Sequence, residues 1–147
     1  MITALLDTNV LLDVVLDRPP FVQDSGTVWR ACDAGQFSGY VSANSITTIY
    51  YIVEKTKGRQ VALDAVDKTL AAFEVSPVYR ETLETARRLA GPDFEDDVLI
   101  ASAVISFVNC IVTRDPKDFP KSPVPVYSPA DFLVQLATIP PPGPSMP

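Results

Sequence analysis

Residues 2–15 read Ile2-Thr-Ala-Leu-Leu-Asp7-Thr-Asn-Val-Leu-Leu-Asp13-Val-Val15. The apolar run up to Leu6 has the length of a short buried strand. After Asp7-Thr8-Asn9, the residues Val10, Leu11, Val14 and Val15 recur at helical spacing until Pro19-Pro20 ends the pattern. The order is strand, polar junction, helix. It returns at the far end of the chain, where Cys110-Ile-Val112 runs straight into Thr113-Arg-Asp115. Strands alternating with helices predict a doubly wound α/β domain around a buried parallel sheet. Ligands of such sheets bind beyond the carboxyl ends of the strands, the edge on which Asp7 and Asp115 fall.

Between these segments the alternation continues. Asp24 to Gly35 fits an amphipathic helix with Val28, Ala31 and Cys32 inward, and Gly39 to Ser42 reads as a strand. Asn44 is placed to cap a helix carrying Ile46, Ile49, Tyr50 and Val53, with a stop signal at Lys57-Gly58. A further helix carries Val61, Ala65, Leu70 and Phe73, followed by a strand at Glu74 to Ser76 and a helix from Tyr79 to Ala90. Asp93 opens the most apolar helix, Val124 to Tyr127 is a last strand, and Ser128-Pro129 supplies the cap and first position of a closing helix. From Pro140 onward five of eight residues are proline. Residues 1–138 are therefore read as one domain, and 139–147 as a disordered or polyproline tail.

At 147 residues and 16.0 kDa, one domain with a real core is the expectation. The chain has no histidine. That excludes the Ser-His-Asp triad, the Cys-His dyad and every zinc site that needs an imidazole. Catalysis must use carboxylates, amines, hydroxyls or a metal. Eighteen acidic against twelve basic residues give a net charge of −6, against binding nucleic acid or anionic lipid by bulk charge. Cys32 and Cys110 are read as reduced thiols of a cytoplasmic protein. The apolar start is broken by Asp7 and Asp13 and reads as a strand, not a leader. The uncharged run from Val98 to Thr113 falls short of the roughly 20 apolar residues that span a bilayer, so no membrane association is expected.

Asp93-Phe-Glu-Asp-Asp97 packs four acids into five residues. Acids in a first helical turn gain about 0.3–1 kcal/mol from the helix dipole, which accounts for one or two of them. Four together repel, at a cost on the order of 4 kcal/mol for a pair about 4 Å apart at an effective dielectric of 20. A bound cation would offset this, and hard oxygen donors suit Mg²⁺ or Mn²⁺. Asp7, this helix start and Asp115 all fall at the edge of one predicted sheet, a pattern suited to metal-assisted phosphate chemistry. Taken singly, each has a plainer reading as a cap or a turn.

The set resembles the PIN-domain nucleases, and among them the VapC-like toxin ribonucleases of bacterial toxin–antitoxin pairs. The resemblance rests on Leu5 to Asp13, on Tyr40-Val-Ser-Ala-Asn-Ser-Ile-Thr-Thr-Ile-Tyr-Tyr51, on Asp93-Phe-Glu-Asp96, and on Ile111-Val-Thr-Arg-Asp115 with Asp118-Phe119. These stand in family order and cover residues 1 to about 134. The resemblance implies a three-layer α/β/α domain with a central, mostly parallel sheet of about five strands. It implies cleavage of RNA with Mg²⁺ or Mn²⁺ held by Asp7, Asp96 and Asp115, with Asn9 and Thr113 in support. A slip of one residue would select Asp97, but Ala101-Ser102-Ala103 downstream favours Asp96.

One position departs from the family pattern: Thr48 stands where a Glu is usual. Glu54, six residues on, lies about 240° further round a helix and is not a substitute. Either three acids suffice, with Asp93 or Asp118 assisting, or activity is weak. Arg114 and Lys117 are the expected phosphate contacts because they flank Asp115, whereas Tyr50 and Tyr51 are read as core. The expectation is a metal-dependent endoribonuclease acting on single-stranded RNA, a homodimer with a cognate antitoxin. The alternative is a PIN-like module that binds RNA or protein without catalysis. A phosphatase with Asp7 as nucleophile is disfavoured because Asn9 stands where a second Asp is usual.

Overall fold

The computed structural model describes residues 1–140. Five strands alternate with helices: β1 (Thr3–Leu6), α1 (Thr8–Val15), α2 (Val22–Asp33), β2 (Ser38–Ser42), α3 (Ala43–Lys57), α4 (Arg59–Ala72), β3 (Glu74–Ser76), α5 (Arg80–Leu89), α6 (Phe94–Ile105), β4 (Cys110–Val112), β5 (Val126–Tyr127) and α7 (Pro129–Ala137). A 3₁₀ turn at Pro116–Asp118 lies between β4 and β5. The sheet order is β3-β2-β1-β4-β5 and every pairing is parallel. Residues 141–147 include most of the proline-rich segment, so the expectation for the tail lies outside the described residues.

The period-2 alternation of the strands builds the layers. Ala4 and Leu6 of β1 and Cys110 and Val112 of β4 pack into a core with residues of α1, α2, α3, α4 and α7. Leu5 and Ile111, between them in sequence, face the opposite side with Leu99, Ile100 and Ala103 of α6. α5 joins α6 on that side through Ala86, Val98 and Ala101. The domain is a three-layer α/β/α sandwich in which β1 is central and buried on both faces.

Several local readings shift. α3 begins at Ala43 with Ser42 at its cap position, so Asn44 lies inside the first turn, where its side chain takes the Ser42 hydroxyl. On α4, Ala62, Ala65 and Thr69 are buried while Val61 and Leu70 are exposed, because α4 packs closely on α3 and only small side chains fit between them. Phe73 is buried but follows the helix in extended backbone, packed edge-on against Trp29 with centroids 4.8 Å apart. Tyr51 is 63% exposed and is not core. β5 is shorter than expected, since Pro123 and Pro125 have no N–H to give a ladder. The Pro125 carbonyl still accepts from Ile111 N–H at 2.9 Å. Two capping readings hold: Asp93 accepts from the Asp96 amide at 3.2 Å, and Ser128 from the Asp131 amide at 3.1 Å.

Candidate active site

Three strand-to-helix or strand-to-loop junctions and the start of α6 meet in one cleft of about 310 Å³. β1 delivers Asp7, Thr8 and Asn9, the start of α3 delivers Asn44, Ser45 and Thr48, the start of α6 delivers Asp93, Glu95 and Asp96, and the segment after β4 delivers Thr113, Asp115 and Asp118. The cleft lies at the carboxyl edge of the parallel sheet, where helix starts and loose strand ends leave a crevice.

Asp7 is held most firmly. Its own N–H donates to the Val112 carbonyl at 2.9 Å, extending the β1–β4 register by one residue. Its carboxylate accepts from the Thr113 hydroxyl at 2.8 Å, and Thr113 in turn accepts from the Asp115 amide at 3.3 Å. Asp7 stands at the N-cap position of α1, where its carboxylate lies near the Thr8 and Asn9 amides without closing a well-aligned capping hydrogen bond. It is turned toward the cleft and Thr113. Burial pushes the Asp7 carboxyl above the usual range, offset in part by Thr113, by the Thr8 and Asn9 amides and by the Arg114 charge.

Asp96 is pushed up to about 7, first by loss of water and then by repulsion from Asp93, Asp7, Asp118 and Glu95. Carboxylates from three separate segments thus face one another with no cation among the cleft-lining residues. The donors are all oxygen, the set that hard divalent cations take. Among the described residues no group of three carboxylates is already set to hold a metal ion. The donor chemistry fits a divalent cation, and closing on it requires side-chain adjustment.

Of the residues singled out in the sequence, Asp7, Asn9, Thr48, Asp93, Asp96, Thr113, Asp115 and Asp118 line the cleft. Asp97 does not. It is 4% exposed and accepts from the Gly91 amide at 3.0 Å, tying the α5–α6 connection to α6. A Cβ on Gly91 would run into that carboxylate, which explains the glycine. Arg114 is also diverted: its Nε lies 3.3 Å from Asp13 and its guanidinium sits 4.1 Å over the Phe21 ring. Lys117 is exposed in the 3₁₀ turn beside the cleft but does not line it.

The Thr48 hydroxyl donates to the Asn44 carbonyl of its own helix at 3.3 Å. With Thr8 and Ser45, whose hydroxyls are 2.7 Å apart, and Asn44, it adds an uncharged polar part to the lining of the same cleft. Thr8, Asn44, Ser45 and Glu95 stand in the motifs quoted from the sequence but were not named there as site residues. The signal for Thr8 was its place between Asp7 and Asn9, and for Asn44 and Ser45 the repeat of the strand, polar junction, helix pattern at β2 and α3.

The family model for the PIN domain matches residues 3–117. The chain belongs to the PIN-domain family. No curated protein sequence matches it. Solved structures that this PIN domain resembles include VapBC2 from Rickettsia felis bound to a DNA fragment from their promoter. There the TM-score is 0.64 at 15% identity, covering 86% of this chain and 98% of that one. A toxin–antitoxin complex from Klebsiella pneumoniae gives 0.64 at 22% identity, covering 86% and 97%. Mycobacterium tuberculosis VapC20, a toxin that cleaves the sarcin-ricin loop, gives 0.61 at 12% identity, covering 74% and 86%. At these identities the likeness is one of fold. Among the described residues no helix is long and apolar enough to cross a membrane.

Proposed function

We propose that this PIN domain is a Mg²⁺- or Mn²⁺-dependent endoribonuclease acting on single-stranded RNA, the toxin of a VapBC-like pair. The observation that carries this reading is the meeting of Asp7, Asp96 and Asp115, from three separate segments, in one cleft. These three would hold the ion, with Asp93, Glu95 and Asp118 beside them. A divalent ion bound there supplies Lewis-acid activation of water and neutralises charge on the cleaved phosphodiester.

The chain's own residues do the rest. Thr113 keeps the Asp7 carboxylate aimed at the cleft, and the Asp93 cap fixes the first turn of α6 and with it Asp96. The Asp96 carboxyl, pushed up to about 7 while the acids face one another, would have to lose its proton to hold an ion. Asn9 and Thr48 offer an amide and a hydroxyl to orient water or ligand. Lys117, exposed on the turn that carries Asp118, is the cation best placed to meet a phosphate.

The same reading takes residues 1–138 as the nuclease unit, working in the cytoplasm as a homodimer that a cognate antitoxin inhibits. The structural likeness to toxin–antitoxin complexes supports the antitoxin. The two free thiols at Cys32 and Cys110 support a reducing compartment. A second reading, an RNA- or protein-binding module without catalysis, is favoured by Thr48 in the uncharged part of the lining. Incubation with single-stranded RNA separates the two readings. The nuclease cleaves with Mn²⁺ or Mg²⁺ and stops when EDTA is added, whereas the module leaves the RNA intact under both conditions.

A further inference from the structure

Asp13 is an acid with no place in the cleft and no exposure at all. Two arginines from different loops reach it. Arg18, in the α1–α2 connection, places Nε 3.0 Å from one carboxylate oxygen, and Arg114, after β4, places Nε 3.3 Å from the other. Both are ion pairs with a carboxylate whose charge is opposed by its burial. A buried charge held this way is a poor source of stability, because its dehydration offsets much of the attraction. The ring that Arg114 covers belongs to Phe21, itself 42% exposed, so apolar packing does not account for the arrangement either.

The location of Arg114 does account for it. Thr113 and Asp115, its neighbours on both sides, line the cleft, and the Thr113 hydroxyl links the Asp7 carboxylate to the Asp115 amide. A side chain drawn away to Asp13 and pinned on Phe21 fixes the peptide planes between those neighbours. We propose that Asp13 is a positioning residue for the cleft: through Arg114 it holds the Thr113–Asp115 segment in the orientation that joins Asp115 to Asp7. Arg18 anchors the same carboxylate but carries no cleft residue.

The test uses the full chain and two readouts. One is hydrogen exchange of the Asp115 amide in metal-free protein, which needs no assumption about function. The other is Mn²⁺ affinity by calorimetry, which rests on the proposed function. Asp13→Asn and Arg114→Gln each speed Asp115 exchange at least tenfold and weaken Mn²⁺ at least tenfold, and the double variant is no worse than either. Arg18→Gln lowers the unfolding midpoint but leaves both readouts within twofold. The Arg114→Gln result is the sharpest, since removing a positive charge beside an acidic cleft would by electrostatics alone raise cation affinity. Equal effects of Arg18→Gln and Arg114→Gln would show a merely structural cluster and overturn the proposal, as would unchanged Asp115 exchange in Asp13→Asn. If Asp13→Asn fails to fold, Arg114→Gln, at a partly exposed position, decides. If the wild type takes up no Mn²⁺, the functional reading fails and amide exchange alone decides the positioning role.

Discussion

The Thr113 hydroxyl donates to the Asp7 carboxylate across 2.8 Å, joining the end of β4 to the end of β1 in the centre of the sheet. Thr113 is 1% exposed and Asp7 8%, so water cannot readily replace either partner. Thr113→Val removes the donor at nearly constant volume and leaves a buried carboxylate short of a partner. A loss of about 1–3 kcal/mol is expected from chemical denaturation, together with weaker Mn²⁺ binding. A variant as stable and as tightly binding as wild type would show that the hydroxyl does not hold Asp7.

On the proposed function, protons and cations compete for Asp96. Its carboxyl is pushed up to about 7 in the metal-free chain, so Mn²⁺ affinity rises with pH through that region and binding releases a proton. Calorimetry in buffers of different ionisation enthalpy measures the release directly. The sign for stability is the reverse of the usual carboxylate. The folded state keeps a proton that the unfolded chain loses above the ordinary carboxylate value of 3.8, so metal-free stability falls as pH rises from there to about 7 and then levels off. Raising of the Asp7 carboxyl by burial acts in the same direction. Metal-free stability that rises over this interval would contradict the repulsion described for the cleft.

Adjacent acids of α6 are expected to separate cleanly. Asp96→Asn keeps or raises the stability of the metal-free protein, because it removes a repelled carboxylate, and it lowers Mn²⁺ affinity. Asp97→Ala strips the Gly91 amide of its acceptor and costs about 1–3 kcal/mol of stability with the affinity of the folded fraction unchanged. Denaturation and calorimetry on both variants check this, and a swap of the two phenotypes would mean the wrong acid has been assigned to the cleft.

Thr48 lines the same cleft as the acids, from the first turns of α3. Placing a carboxylate there adds a fourth charged donor to an uncharged part of the lining. Thr48→Glu is expected to tighten Mn²⁺ by about tenfold, roughly 1.4 kcal/mol, and to raise cleavage with it. Unchanged affinity would mean that this part of the lining does not share the cation.

The parallel sheet was readable because β1 and β4 are continuous apolar runs that break at polar residues, Asp7 and Thr113, and their side chains divide between two cores by simple alternation. Asp7 and Asp115 could be placed at one edge for the same reason, whereas Asp96 was placed by the acid cluster at the start of α6 and by the family resemblance. The face of α4 was not readable: its periodicity allowed Val61 and Leu70 as core, and only close packing on α3 selects Ala62, Ala65 and Thr69. Arg114 looked like a phosphate contact because it flanks Asp115. Its actual partners, Asp13 and Phe21, lie about 100 residues away in sequence, and no local pattern announces them. Asp96 was preferred to Asp97 only on the downstream Ala101-Ser102-Ala103, and the Gly91 amide now gives Asp97 a separate partner.

The central claim is that the carboxylates gathered in the cleft cut RNA with a divalent ion. Single-stranded RNA incubated with Mn²⁺ and either wild type or Asp7→Asn, a variant of the same shape, tests it most directly. Cleavage by the wild type that falls at least a hundredfold in Asp7→Asn, with both proteins equally folded, is the predicted result. Equal cleavage by the two, or none by either, would contradict it.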